Sequence, residues 1–144
     1  MEYRRVGSSG LKVSAVSIGG WLTFGASVDA AASARILAAA IDAGVNYVDL
    51  ADVYGGGAAE EVAGRALAEV RRSSLVIASK CFWPTGPGPN DRGLSRKHVV
   101  ESCEASLRRL GTDYLGLFFC HREDPLVPVE ETARAMDDLV RQGK

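Results

Sequence analysis

Four side chains in this 144-residue chain could act together: Asp49, Tyr54, Lys80 and His121. Lys80 closes the apolar run "LVIAS", and His121 closes "YLGLFFC". Asp49 ends a third such run, with Tyr54 and three glycines just beyond it. An acid, a phenol, an ammonium and an imidazole then share one rim if the runs are neighbouring strands. A lysine there can pair with an aspartate. A cation beside a phenol favours the phenolate and lowers its pKa from the reference ~10. A phenol so tuned can pass a proton to a carbonyl oxygen and recover it from an alcohol. His121 could hydrogen-bond the same oxygen. Taken singly, each residue has a plainer reading: a turn aspartate, a solvated lysine, a core histidine, an aromatic before a glycine turn. Their recurrence at equivalent places favours the joint one. The set holds no hydride, so carbonyl reduction needs a cofactor, most simply a reduced nicotinamide.

The elements that must position these groups alternate along the chain. Residues 3–13 predict a small hairpin around a Gly-Ser turn. "AVSIG" (15–19), "VNYVDLA" (45–51), "LVIASK" (75–80) and "YLGLFFCH" (114–121) predict four strands, apolar on both faces. Between and after them fall four helices. The first runs from about Asp29 to Ala43, with Ser33, Ile36, Leu37, Ala40 and Ile41 on one face and Gly44 ending it. The second aligns Ala59, Val62, Ala63, Ala66, Leu67 and Val70. The third starts at Ser95, an N-cap, and aligns Val99, Cys103, Ser106, Leu107 and Leu110. The fourth starts near Pro128 at N1, with Gly143 at its C-terminal end. His98, in the first turn of the third helix, is expected to face solvent. The pattern βαβαβαβα fits a doubly wound sheet or the first half of a (β/α)8 barrel; a full barrel needs ~250 residues. In either, chemistry gathers at the C-terminal ends of the strands.

Composition excludes several classes. The net charge is −1, with no basic surplus for a nucleic-acid backbone. No apolar run approaches the ~20 residues that span a membrane, and the N-terminus lacks a signal-peptide core. There is no G-x-G-x-x-G, no phosphate loop and no metal-ligand cluster, and only two histidines are present. Cys81, Cys103 and Cys120 are an odd number without C-x-x-C spacing, which suits a reducing, cytoplasmic setting. Alternation turns Cys81 and Cys120 away from Lys80 and His121, toward the helices, as buried thiols.

"VDLADVYGGGAAEEVAGRAL" resembles the D-x-A-x-x-Y-G signature of the aldo-keto reductases. "IASK" and "DYLGLFFCHR" resemble that family's lysine and histidine segments, and "GLSRKHVVESCEASLRRLGTDYL" its third-helix region. "FWPTGPGPNDRG" and "HREDPLVPVEETARAMDDLVRQGK" are most similar to the branch that includes the β subunits of voltage-gated potassium channels and their bacterial relatives. The resemblance spans essentially the whole chain. It implies a (β/α)8 barrel that binds NADPH and reduces aldehydes and ketones. By the same resemblance, Tyr54 is the general acid, Asp49 and Lys80 tune it, and His121 orients the carbonyl. Gly20, Trp21 and Leu22, with Asp49, lie beside the nicotinamide, and Trp21 and Trp83 wall a substrate pocket with Tyr54 and His121. No metal is implied. Retention of His121 argues for a reductase lineage, because some channel-associated relatives lack it.

Two departures are Leu50, where the family often has Thr, and Gly116, where it often has Asp and where a looser strand is expected. A third is length. Residues 1–144 are expected to be the N-terminal half of the barrel, without the Ser-Asn segment that holds the carboxamide or the loops that grip the 2′-phosphate. Three expectations stay open: a fragment, a truncated product, or a half-barrel that self-associates through its open sheet edges. The partner implied is a small-molecule carbonyl substrate, with neither nucleic acid nor membrane. The alternatives to an NADPH-dependent reductase are a nucleotide-binding, redox-sensing regulatory module like the channel β subunits, and an inert fragment. The loop over 82–94 reads as a lid over the substrate or as a flexible connection, with a slight preference for the lid.

Overall fold

The structure, a computed structural model, describes residues 1–144. A two-stranded antiparallel hairpin, β1 (Tyr3–Arg5) and β2 (Lys12–Ser14), precedes a four-stranded parallel sheet. The sheet strands are β3 (Ile18–Gly19), β4 (Tyr47–Asp49), β5 (Val76–Cys81) and β6 (Leu117–Cys120). Four helices follow the sheet strands in turn: α1 (Ala30–Asp42), α2 (Ala58–Leu67), α3 (Arg96–Leu110) and α4 (Val129–Arg141). The spatial order is β3-β4-β5-β6, identical to the chain order. A doubly wound sheet reverses its order at a switch point. Here every strand adds to the same side of the last, and each helix packs against the next, α1 on α2, α2 on α3, α3 on α4. That is four βα units of a (β/α)8 barrel.

Local chemistry explains the element ends. The Asp29 side chain accepts from the Ala32 N–H and caps α1; Ser95 accepts from the His98 N–H and caps α3. Gly111, at φ 64°, ends α3 in the left-handed region. Pro128 is the N-cap of α4 rather than its first helical residue. The hairpin is tied to the sheet by Asn46, which accepts from the Ser14 N–H at 2.7 Å and donates to the Lys12 carbonyl at 3.2 Å.

The core lies between sheet and helices and includes Leu37, Val48, Ile77, Val99, Leu107 and Leu139. Burial of the sheet is uneven. β5 is buried along nearly its whole length, whereas the edge strands are short and partly open. The expected first strand over 15–19 shrinks to Ile18–Gly19, with Val16 exposed, because β3 has a neighbour on one side only. The fourth begins at Leu117, not 114. Ile36, placed by periodicity on the buried face of α1, is exposed.

Gly64 and Gly116 are both needed for close approach. A Cβ on Gly116 would lie 2.7 Å from Val76 Cγ1, so the absent side chain lets β6 lie down on β5. A Cβ on Gly64 would lie 2.7 Å from the Leu110 carbonyl oxygen and 2.8 Å from that of Arg109. Backbone cannot swing aside as a side-chain tip can, so Gly64→Ala is expected to push α2 off α3. The expected loss is about 1–3 kcal/mol in urea unfolding; an unchanged midpoint would contradict the close packing of these helices.

Candidate active site

The four candidate residues meet on one rim. β4 ends at Asp49 and β5 carries Lys80 on the same face as Ala78, so a short step across the sheet joins them. Lys80 Nζ donates to Asp49 Oδ2 at 3.0 Å, to the Leu50 carbonyl at 2.7 Å and to Tyr54 Oη at 3.0 Å. Its three donors are thus used, and the ammonium is held in one place. Tyr54 is carried there by a single turn whose three glycines, Gly55, Gly56 and Gly57, all have positive φ (59°, 64° and 96°). Three successive left-handed residues reverse the chain into α2 at once, and only glycine does this without strain.

The Tyr54 oxygen accepts from Lys80, so its own proton remains for another acceptor. His121 stands on the next strand, its ring centroid 6.0 Å from that of Tyr54 and edge-on to it. Burial, then the nearby Lys80 and Arg122 cations, lower the His121 pKa from its ordinary value. The ring is therefore neutral at physiological pH and keeps one N–H donor. Its Nδ1 is buried without a partner. Trp21 lies 6.4 Å from Tyr54, and Trp83 6.3 Å from His121, centroid to centroid. With Val53 and Arg122 they line a cleft of about 410 Å³. Trp21 and Leu22 are each 66% exposed at the end of β3. Gly20 is buried, and a Cβ there would press on the Leu50 and Phe24 side chains, at 2.7 Å from Leu50 Cδ2 and 3.0 Å from Phe24 Cδ2. The 82–94 loop is pinned rather than loose: Gly93 donates to the Phe82 carbonyl at 2.7 Å, and Asp124 accepts from the Leu94 N–H at 2.8 Å.

Sequence reasoning missed Tyr47. Its phenol donates to Asp49 Oδ1 at 3.4 Å, so the carboxylate is held from both sides. Burial and the Asp49 charge push the Tyr47 pKa up to about 12, which keeps it a donor. The available signal was its place two residues before Asp49, on the same strand face. Val53 and Arg122 were also missed, since neither sits at a strand end.

Three further placements correct the sequence reading. His98 is buried, not solvent-facing; its Nε2 is 3.3 Å from Ser102 Oγ, and Thr85 and Asp91 of the loop line the same small cavity. Cys120 faces the expected side but is exposed, because β6 is an edge strand; Cys81 and Cys103 are buried as expected. Behind the rim lies an unexpected polar layer. Glu60, fully buried, accepts from Arg109 Nε at 2.6 Å and from Ser79 Oγ at 2.5 Å, joining α2, α3 and β5.

Asp52, 3% exposed, leaves both carboxylate oxygens without a hydrogen-bond partner. Burial first, then the Glu60 charge, push its pKa up to about 7, with Arg109 and Ser102 opposing. A carboxyl that holds its proton more tightly folded than unfolded makes folding less favourable as pH rises from about 4 through about 7. Asp52→Asn is therefore expected to be more stable than the parent at about pH 8, on the order of 2 kcal/mol, and little different near pH 4. Urea midpoints across that range check it; an equal effect at both ends would contradict the burial of an ionising Asp52.

The fold and the rim have counterparts among known proteins. Residues 15–144 match the Aldo/keto reductase family. A probable voltage-gated potassium channel subunit beta from Arabidopsis thaliana is 51% identical over 145 residues, covering 99% of this chain and 44% of that protein. One from Oryza sativa subsp. japonica is 49% identical with the same coverage. Among solved structures, the thermostable aldo-keto reductase Tm1743, in complex with the inhibitor epalrestat, superposes with a TM-score of 0.86 at 37% identity. That match covers 99% of this chain and 51% of that one. The chain belongs to the aldo/keto reductase family. It spans about half the length of the relatives it matches.

Proposed function

We propose that this chain carries the proton-transfer half of a carbonyl reductase, the reduction of aldehydes or ketones to alcohols. The observation that carries the reading is the Lys80 ammonium bonded at once to Asp49, the Leu50 carbonyl and Tyr54. A cation on the phenol oxygen stabilises negative charge as the Tyr54 proton leaves for the carbonyl oxygen. Asp49 supplies the counter-charge that keeps a largely buried ammonium in place, and Tyr47 keeps Asp49 turned toward it. A neutral His121 donates to the same carbonyl oxygen and fixes its direction. Trp21 and Trp83 line the cleft and offer apolar surface to the substrate.

The residues present fit the nicotinamide end of NADPH: the exposed Trp21 ring, 6.4 Å from that of Tyr54, offers a flat apolar surface, and Leu22, also exposed, follows it in the chain. Gly20, Trp21, Leu22 and Asp49 would hold that end, and the bound cofactor would supply the hydride. The choice of NADPH over NADH, like the assignment of residues 1–144 as the N-terminal half of a barrel, follows the family resemblance.

The similarity to channel β subunits favours a second reading, a nucleotide-binding, redox-sensing module in which turnover is incidental. Fluorescence titration of the chain with NADPH, followed by cofactor oxidation with a panel of aldehydes, separates the two. Binding with turnover supports the reductase. Binding with negligible turnover supports the regulatory module. Absence of binding removes both for this chain.

A further inference from the structure

Cys81 and Cys120 are register partners across β5 and β6. Paired residues on neighbouring strands point to the same face, here the face away from Lys80 and His121. Neighbouring strands lie about 4.8 Å apart, inside the Cα separation of about 4.4–6.8 Å that a disulfide spans. The Cβ atoms must close by up to roughly 1 Å to bond. β6 pairs with β5 alone among the strands of this chain. The two thiols differ in access: Cys81 is fully buried and Cys120 exposed.

We propose that Cys81 and Cys120 are a redox pair that closes to an intrachain disulfide under peroxide and reopens with thiol reductants. Cys120, the accessible thiol, attacks the peroxide as thiolate; the O–O bond breaks, and sulfenic acid and water form. The Cys81 sulfur then displaces the sulfenic oxygen, its proton leaving in a second water. Two thiols and one hydrogen peroxide become one disulfide and two waters, a two-electron exchange. Burial raises both thiol pKa values, so few are thiolate at neutral pH and closure is slow, a response to sustained oxidation. Strain from the strand shift makes the bond easy to reduce. The consequence is local to the rim. Cys81 directly follows Lys80, and Cys120 directly precedes His121, so the bond clamps two rim residues from behind.

The test needs no turnover. The purified chain is treated with hydrogen peroxide, quenched, unfolded and alkylated, then weighed and peptide-mapped. Alkylatable thiols are expected to fall from three to one, with a Cys81–Cys120 linkage in monomeric chain that dithiothreitol removes. Cys103→Ser should keep the linkage, and Cys120→Ser should leave Cys81 reduced. A bond to Cys103, linkage only between chains, or over-oxidation of Cys120 with Cys81 still free would overturn the proposal.

Discussion

Replacing Tyr54 with Phe is expected to lower kcat for aldehyde reduction by about 10²–10⁴-fold, the usual worth of a positioned general acid. The ring stays, so the packing against Trp21 and the Lys80 contact over the ring face survive. Lys80 keeps two of its three acceptors, Asp49 and the Leu50 carbonyl. The fold should therefore be intact by circular dichroism and the NADPH affinity little altered. The loss should fall in kcat rather than KM, because the missing proton matters only as the alkoxide develops. A drop of less than about threefold would move the proton source elsewhere on the rim. The same substitution leaves a purely nucleotide-binding module untouched, so the result also bears on the second reading.

The largest expected effect on stability lies one layer behind the rim. Arg109→Leu is expected to cost about 3–5 kcal/mol, because it strands the buried Glu60 carboxylate without its cation. Glu60 has no solvent to turn to, and Asp52 nearby is a second acid in the same layer. Ser79 can still donate to Glu60, but one hydroxyl does not balance a buried charge. The double variant with Glu60→Gln removes the stranded charge and should recover a good part of the loss, a non-additivity that identifies the pair. Urea unfolding of the parent, the two single variants and the double variant measures it. A cost under about 1 kcal/mol for Arg109→Leu would place the pair among surface ion pairs. Glu60 grips Ser79, the residue before Lys80, so this layer also bears on where the ammonium sits.

Periodicity and strand-end chemistry carried the reading where burial is one-sided and continuous. α3 shows this best: Val99, Cys103, Ser106, Leu107 and Leu110 were placed on one face, and all are buried. The Lys80 cluster was likewise legible, since residues closing successive parallel strands must share a rim. The misses lie where a distant segment decides. His98 looks solvent-facing in the first turn of α3 until Thr85 and Asp91 of the 82–94 loop close over it. Cys120 looks buried until its strand proves to be an edge with one neighbour, and Val16 until the strand expected over it shrinks to Ile18–Gly19. Ile36 keeps helical spacing with its face but falls outside what α2 and the sheet cover.

By itself, then, the sequence determined the alternation of strands and helices, the capped ends of α1 and α3, and the four side chains at the strand ends. Each of these depends on residues near one another in the chain. Only the tertiary structure decided between a doubly wound sheet and a barrel, because strand order is a relation among segments about 30 residues apart. It alone brought Arg109 to Glu60 and Cys120 beside Cys81. Such pairings are set by register and packing, which no local pattern encodes.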